Sequence, residues 1–384
     1  MYVAALTQLY WLNFSAIDTH LEDKLSISAI QVGMLTLVFP IVYILLSIPS
    51  GIIIDKKGFK YSITIGVIFT GFFSLLRLAN PASYICLLTS QIGIAVGQPF
   101  ILNGITKLVV TWFPPQEEAT AVGLGSLALF VGMIIGLGVT PLLVESAGFE
   151  SMLLVYGILG VLGVLLFFPL VKAKPTTPTR VIKEENITFR SGIAGILKTK
   201  NFIILGFIAM IGIGVFNGLA TWLEKILHEQ QNIPMVDAGL ISAILIFSGM
   251  LGCIAIPIFS DKIKRRKPFL ILAASMGAIC VILLMFPSSF VVNAANAFIL
   301  GFFLLSALPI MLTMSAEITG SAFAGISVAY LQLLGNGAAV AIVPIMETLR
   351  NASNHHILPL AFLATLLFIA IILAIRIKET GKSG

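Results

Sequence analysis

The sequence predicts an all-α membrane protein with twelve transmembrane helices in two six-helix, pseudo-symmetric bundles and with both termini in the cytoplasm. Composition, apolar stretches and the distribution of Lys and Arg predict it. Of the 384 residues, 58% are apolar and 10% are charged, and the mean hydropathy is +1.06. Soluble proteins carry roughly 25% charged residues, so this chain cannot cover a water-facing surface. The composition excludes nucleic-acid binders, disulfide scaffolds and disordered proteins.

Twelve apolar stretches are long enough to cross a bilayer, whose core of about 30 Å needs about 20 helical residues. In lipid the backbone must satisfy its own hydrogen bonds, which makes helix the expected structure of each stretch. Because no basic region precedes the first stretch, we expect it to be a retained helix and not a cleaved signal. The stretches are 2–22, 28–54, 59–79, 82–112, 118–144, 150–171, 201–226, 235–260, 268–286, 289–314, 319–347 and 353–376.

The orientation follows from counting Lys and Arg in the loops, since cytoplasmic loops collect them. With the N-terminus inside, the inner loops hold 18 of the 23 basic residues. The outer loops hold four, namely Lys24, Arg77, Lys225 and Arg350. The last basic residue, Lys107, lies inside the fourth stretch.

The longest polar segment divides the chain into two halves. We expect an N-terminal bundle at 1–171, a cytoplasmic linker at 172–200, a C-terminal bundle at 201–376 and a cytoplasmic tail at 377–384. Within the linker, residues 187–197 could form an amphipathic helix on the membrane surface or belong to a flexible tether.

The halves resemble each other, as the repeats of transporters do. The repeated positions indicate an alternating-access carrier. They are Asp55-Lys56 with Asp261-Lys262, at an offset of 206, and Gly132 and Pro141 with Gly335 and Pro344, at an offset of 203. Gly132 and Gly136 form a GxxxG pair, which predicts close helix packing.

A motif between the second and third stretches resembles the signature GxxxD(R/K)xG(R/K)(R/K) of the major facilitator superfamily. We expect tight packing at the first glycine and ion pairs that latch the cytoplasmic helix ends in the outward-facing state. Lys107 is expected to pair with Asp55, or else to extend to the inner interface. The proposed gating residues are Gly51, Asp55, Lys56, Gly58, Lys60 and Lys107.

Further segments resemble one branch of that superfamily, the feline leukaemia virus subgroup C receptor family with its relative disrupted in renal carcinoma 2. These segments are Tyr10–Ser15, Gly97–Asn103, Thr111–Pro114, Glu118–Ala121 and Ala316–Thr319. The resemblance implies a facilitator of choline and ethanolamine, with haem export claimed for some members. It implies that Trp11 caps a quaternary ammonium and that Gln98 and Gln332 line the pocket. Where the family has a tyrosine in its seventh helix, this sequence has Thr221, with Trp222 beside it.

Independently of the family, Trp11, Gln98 and Gln332 lie within about one residue of the midpoints of their predicted stretches. Tryptophan normally belongs to the interfacial belt, and an amide in the membrane must find partners or line water. The three side chains therefore predict a central site, or alternatively hydrogen bonds between packed helices. Four asparagines lie within about two turns of the midplane and could likewise belong to the site or to helix packing. They are Asn13, Asn103, Asn217 and Asn336.

None of the 17 acidic residues lies at a midplane. A proton-coupled carrier usually places a titratable carboxylate within its bundle, so passive uniport is favoured, with Asp18 as the possible coupling acid. The leading hypothesis is a monomeric uniporter of an amine or quaternary ammonium compound in the plasma membrane. A haem or planar-compound exporter, a proton-coupled antiporter, and a receptor or intramembrane enzyme are the alternatives. We expect no catalytic residues, metal, cofactor or nucleic-acid partner.

Overall fold

The computed structural model describes residues 1–114, 117–173, 196–197, 199–320 and 324–380, and every regular element in these ranges is helical. A 3₁₀ turn (Ser15–Ile17) separates α1 from α2, and a π turn (Ile135–Val139) separates α6 from α7. The helices are α1 (Tyr2–Leu12), α2 (Asp18–Leu25), α3 (Ala29–Lys57), α4 (Phe59–Leu76), α5 (Tyr84–Trp112), α6 (Glu118–Ile134), α7 (Thr140–Ala147), α8 (Phe149–Leu170), α9 (Lys200–Gln231), α10 (Met235–Ile263), α11 (Lys267–Leu283), α12 (Phe290–Thr319), α13 (Ala324–Ser353) and α14 (Ile357–Arg376).

Most of these helices are suited to a membrane. Across the described ranges, ten helical segments are long and apolar enough to cross a bilayer, and α11 is a shorter apolar helix. The first stretch differs from the prediction, because it is broken into α1, the 3₁₀ turn and α2. The protein is an all-α, multi-pass membrane protein, as the sequence predicts.

Several predicted helix boundaries are wrong. Helix α9 continues to Gln231 instead of ending near residue 226, α12 continues to Thr319 instead of ending near residue 314, and α13 runs from 324 to 353 instead of 319–347. Charged residues do not end α9 and α13, because they pair along them: Lys225 lies 3.6 Å from Glu229, and Arg350 lies 3.7 Å from Glu347. Asn232 ends α9 in the left-handed conformation, with φ of 53°.

Two cations assigned to outer loops are buried instead. The side chains of Arg77 and Lys225 are fully shielded from solvent. Arg77 directly follows α4, and Lys225 lies within α9. Counting Lys and Arg assumes that each one near the end of an apolar stretch belongs to a loop. It therefore cannot detect a cation whose side chain is buried within the helix bundle.

The described residues pack into two compact units, Met1–Glu184 with Pro234–Ala243, and Glu185–Ile233 with Ile244–Gly384. The domain boundaries drawn from the sequence stay predictions. Most of the linker, including nearly all of the segment 187–197, lies outside the described residues.

In the first unit, α1 packs closely on α6 through glycines. A Cβ on Gly132 would collide with the carbonyl of Ala5, and one on Gly136 would lie 2.9 Å from the carbonyl oxygen of Leu9. The predicted close packing of this GxxxG pair is confirmed. On another side of α1, the Tyr10 hydroxyl donates to the carbonyl of Tyr156 in α8 at 2.6 Å.

The second unit repeats this contact at the corresponding place. A Cβ on Gly335 of α13 would meet the side chain of Ile213 in α9 at 2.5 Å. The glycines that correspond by sequence offset therefore perform the same task, since each lets its helix approach the first helix of its own half. This supports the internal repeat read from the sequence.

Candidate functional site

Trp11 lies one residue before the end of α1 and is 9% exposed. The span that carries it is interrupted directly after it, between Leu12 and Asp18. Trp11 is within three residues of the middle of the whole segment 2–25, so its indole is far from the interfacial position that tryptophan usually takes in a membrane.

Gln98 lies at the midpoint of α5, as predicted, and is 5% exposed. Within the described part of the chain, its amide makes no hydrogen bond. A buried amide without a partner is costly in an apolar environment, so Gln98 is suited to contact a polar solute.

Asn103 lies five residues further along α5 and is bound differently. Its Oδ1 accepts from the Tyr43 hydroxyl at 3.0 Å, and its Nδ2 donates to the Ser50 hydroxyl at 2.8 Å. Nδ2 also lies 3.3 Å from the Ser47 carbonyl. The Asn103 amide therefore joins α5 to α3, which supports a role in helix packing. Few of its hydrogen-bonding positions are left for a ligand.

Gln8 was not singled out from the sequence, although it precedes Trp11 by three residues and so shares its side of α1. It is 3% exposed, and its amide bonds to no described residue. The other sides of α1 are occupied by the contacts with α6 and α8. The i, i+3 spacing from Trp11 was the signal that could have found it.

Asn13 is fully buried and faces α8, where its Nδ2 lies 4.0 Å from the Met152 sulfur. Its Oδ1 has no hydrogen-bond partner among the described residues. Asp18 begins α2 and is 1% exposed, so other parts of the protein shield it from solvent.

In the second unit, three predicted contacts are used in helix packing or within one helix. Trp222 donates from Nε1 to the Val343 carbonyl at 3.1 Å, which fixes the indole against α13. Asn217 donates to the Ile213 carbonyl, and the Thr221 hydroxyl to the Asn217 carbonyl, each at 2.8 Å. The Trp222 bond supports a role in packing between helices, whereas the bonds of Asn217 and Thr221 lie within α9 and join no second helix.

Gln332 is half-buried, and its side-chain amide bonds to no described residue, while its carbonyl accepts from Asn336 at 2.9 Å. Its predicted place near a helix midpoint is wrong. Helix α13 as described is centred between residues 338 and 339, so Gln332 lies about 10 Å from that centre at 1.5 Å per residue. That it shares one chamber with Trp11 and Gln98 stays a prediction.

The proposed inner gate of the first unit is only partly as expected. Lys107 Nζ lies 3.9 Å from Asp55 Oδ1, with 25% and 71% of the side chains exposed, so the expected ion pair is present but loose. Gly58 ends α3 with φ of 83°, which explains its glycine. The tight packing predicted at Gly51 is wrong, because no described atom lies within 4 Å of its Cβ position. Lys56 is exposed and Lys60 half-buried.

The corresponding loop of the second unit, which begins at the repeated Asp261-Lys262, has more hydrogen bonds and ion pairs among the described residues. Arg266 donates to the Ser260 hydroxyl at 3.0 Å and to Asp261, and from Nε and Nη2 to Glu317 Oε1 at 3.2 and 3.1 Å. Burial alone would lower the pKa of the guanidinium, but the bonds to the two carboxylates raise it above its ordinary value.

The tail closes this network. Glu379 Oε1 accepts from the backbone N–H of Arg266 at 2.7 Å, and the Thr380 hydroxyl donates to Glu317 Oε2 at 2.5 Å.

A cavity of about 490 Å³ lies elsewhere in the first unit. Its lining does not include Trp11 or Gln98, so it does not mark the predicted site. The residues around it are His20, Val144, Glu145, Pro234, Met235, Val236 and Asp237.

Comparison with known protein families gives a match to the model of the Major Facilitator Superfamily over residues 2–344. The chain belongs to the Major Facilitator Superfamily. Its all-helical architecture and its motif at 51–60 agree with this membership. Superfamily members are transporters, and this one is accordingly a membrane transporter.

Two relatives and one solved structure are similar to this major facilitator protein. The choline/ethanolamine transporter FLVCR1 of Mus musculus is 24% identical over 96% of this chain and 72% of its own length. An uncharacterized MFS-type transporter of Caenorhabditis elegans is 27% identical over 85% of this chain, which spans 59% of that relative. A crystal structure of a point mutant of the nucleoside transporter NupG matches with a TM-score of 0.78 at 14% identity, covering 98% of both chains. The resemblance to the feline leukaemia virus subgroup C receptor family is confirmed by the first of these.

Proposed function

We propose that the protein is a facilitative carrier of a small amine or quaternary ammonium compound such as choline. It would work by alternating access, as a monomer in the plasma membrane, and would catalyse no reaction. The proposal starts from the contrast between Gln98 and Asn103, two amides on the same membrane-spanning helix.

That contrast carries the proposal. Asn103, on the same helix, is held by Tyr43 and Ser50, whereas Gln98 is buried and bonds to no described residue. An amide kept in this state inside a membrane bundle is typical of a position that meets a polar solute. Gln8 has the same property one turn from Trp11, so the two amides and the indole form a candidate contact set on α1 and α5.

The substrate class follows from the charges near these residues. An indole face attracts a cation, and Trp11 is the tryptophan nearest the middle of its span. Between Tyr84 and Thr106, α5 contains no charged residue, so the helix that carries Gln98 supplies neither the cationic clamp that an anionic solute needs nor a carboxylate. Cation attraction by a ring and hydrogen bonds from amides suit a choline-like molecule. The mouse relative, a choline/ethanolamine transporter, agrees with this class.

A second candidate is proton-coupled antiport, which the burial of Asp18 favours. A carboxyl group that is 1% exposed in the first unit could bind and release a proton during transport. A planar compound such as haem is a third candidate, because it could stack on the same indole face.

Uptake into proteoliposomes tests the proposal. Purified protein is reconstituted and supplied with choline, ethanolamine, haem or pyridoxine, with and without an imposed proton gradient. We expect choline or ethanolamine to equilibrate across the membrane regardless of that gradient. Accumulation that needs the proton gradient would contradict uniport and support proton-coupled antiport. Uptake of haem alone would contradict an amine substrate and support a planar one.

A further inference from the structure

We propose that Arg77 and Gln91 are positioning residues, which hold the broken first span in the geometry that presents Trp11 to the substrate. This inference rests on the proposed function, since it assigns a task to residues around the same site. The sequence predicts an outer-loop position for Arg77, and Gln91 is not among the predicted site residues.

The break leaves backbone carbonyls to be satisfied. Because α1 ends at Leu12, the carbonyls that follow Leu9 have no regular i+4 donor within the helix. The Leu9 carbonyl still accepts from the N–H of Asn13 at 2.9 Å, and the Leu12 carbonyl accepts from the Ser15 hydroxyl at 2.9 Å. The carbonyl of Tyr10, next to Trp11, accepts instead from Nε2 of Gln91 at 3.1 Å.

Gln91 joins three helices at this point. Its Nε2 also donates to the Leu35 carbonyl in α3 at 3.0 Å, and its Oε1 accepts from Nη2 of Arg77. A guanidinium only donates hydrogen bonds, so Arg77 forces the oxygen of the amide towards itself. The NH₂ group must then face the carbonyls of Tyr10 and Leu35. Arg77 therefore determines which way the amide points.

Arg77 also contacts the chain on both sides of the break. Its guanidinium carbon lies 4.8 Å from the ring centre of Tyr10 and 5.1 Å from that of Phe14. All three side chains and Gln91 are fully buried. In the part of the chain that the structure describes, no carboxylate pairs with Arg77, and its Nε and Nη1 have no hydrogen-bond partner.

A buried cation with an amide as its partner is a poor source of stability, because desolvation costs more than one such bond returns. The Arg77–Gln91 pair therefore matters for the geometry that it imposes.

The Arg77–Gln91 pair is also close to the candidate site along α5. Gln91 precedes Gln98 by seven residues, which is two turns or about 10 Å along the same side of α5.

The test uses ¹⁹F resonances from protein labelled with 5-fluorotryptophan. Its tryptophans are Trp11, Trp112 and Trp222, so the last two report on the remainder of the fold. The Trp11 signal is assigned with Trp11→Phe. The variants are Gln91→Ala, Gln91→Glu and Arg77→Lys. In Gln91→Glu the carboxylate still accepts from Arg77 but cannot donate to Tyr10 or Leu35.

Asn296→Ala is the matched control. Asn296 is 6% exposed and donates to the Cys280 carbonyl at 3.0 Å. This variant loses a buried amide bond of the same kind, with no described contact to the first span.

We expect both Gln91 variants to move the Trp11 resonance and to leave the other two in place. The KM for choline uptake should rise about tenfold, the effect of roughly 1.4 kcal/mol of lost substrate contact at Trp11, while kcat changes much less. Arg77→Lys should keep the Trp11 resonance near its wild-type position, because an ammonium still donates to Gln91 Oε1. Asn296→Ala should leave KM and the Trp11 resonance unchanged.

The proposal is overturned if the Gln91 variants leave the Trp11 resonance unmoved. It is equally overturned if they disturb all three resonances together, because the pair would then act in general packing. A wild-type protein that does not transport choline would refute the proposed function, but the Trp11 resonance would still decide this inference separately.

Discussion

The Nδ2 of Asn103 donates to the hydroxyl of Ser50 at 2.8 Å. Five residues earlier on α5, the amide of Gln98 bonds to no described residue. Two amides that the sequence presents as equivalent are therefore in opposite situations, one used between helices and one available to a solute.

This difference predicts opposite effects of two substitutions on one helix. Gln98→Ala should raise the KM for choline about tenfold, the effect of roughly 1.4 kcal/mol, with little change in thermal stability. Asn103→Ala should lower stability by about 1–2 kcal/mol, because it removes the acceptor of the Tyr43 hydroxyl and the donor to Ser50 Oγ, and should change KM little. Thermal unfolding in detergent and proteoliposome uptake measure the two effects. The same loss of affinity in both variants would contradict the distinction.

Gly132 predicts a large packing effect with an internal control on α6. Gly132→Ala should destabilise the protein by about 1–3 kcal/mol, since its Cβ would meet the Ala5 backbone and the helices would have to separate. Gly123→Ala should be neutral or stabilising by up to about 1 kcal/mol, because nothing described lies within 4 Å of its Cβ position. Unfolding temperatures of the two variants measure this. Equal temperatures would show that α1 and α6 do not pack as described.

Arg266 predicts a stability effect at the cytoplasmic end of the second unit. Arg266→Ala should cost about 1–3 kcal/mol, because Glu317, which is 28% exposed, loses its hydrogen-bonded cation, while Asp261 is 64% exposed and can be hydrated. Lys264→Ala, at an exposed position two residues earlier, should change stability by less than about 0.5 kcal/mol. Thermal unfolding of the variants measures both values. Equally small effects in the two variants would show that the Arg266 network does not stabilise the second unit.

Lys107 predicts an effect on conformation with little effect on stability. Its partner Asp55 is 71% exposed, and such pairs contribute about 0–1 kcal/mol. Lys107→Ala should change the balance of inward- and outward-facing states more than the KM. Spin labels at positions 56 and 262 would report that balance by their distance distribution, with Lys200→Ala as an exposed control. An unchanged distribution with lost affinity would argue against a gating role.

The sequence predicted the helical fold, the internal repeat and the packing of Gly132 well, because hydropathy and small residues are determined locally. It could not predict the break after Leu12, since residues 13–17 contain neither proline nor glycine. Arg77 and Lys225 looked like loop cations because burial depends on partners from other helices. For the same reason, the position of a residue relative to the midpoint of its stretch could not distinguish Gln98 from Asn103, and it could not identify Gln8.

Binding of choline to the purified protein tests the central claim most directly, namely that Trp11 contacts a cationic solute. Isothermal titration compares the wild type with Trp11→Leu and with Trp112→Leu, a tryptophan packed in the apolar cluster of Phe59 and Ile101. The account predicts binding by the wild type, a loss of at least about tenfold in affinity for Trp11→Leu, and little change for Trp112→Leu. Wild-type affinity in Trp11→Leu would contradict it.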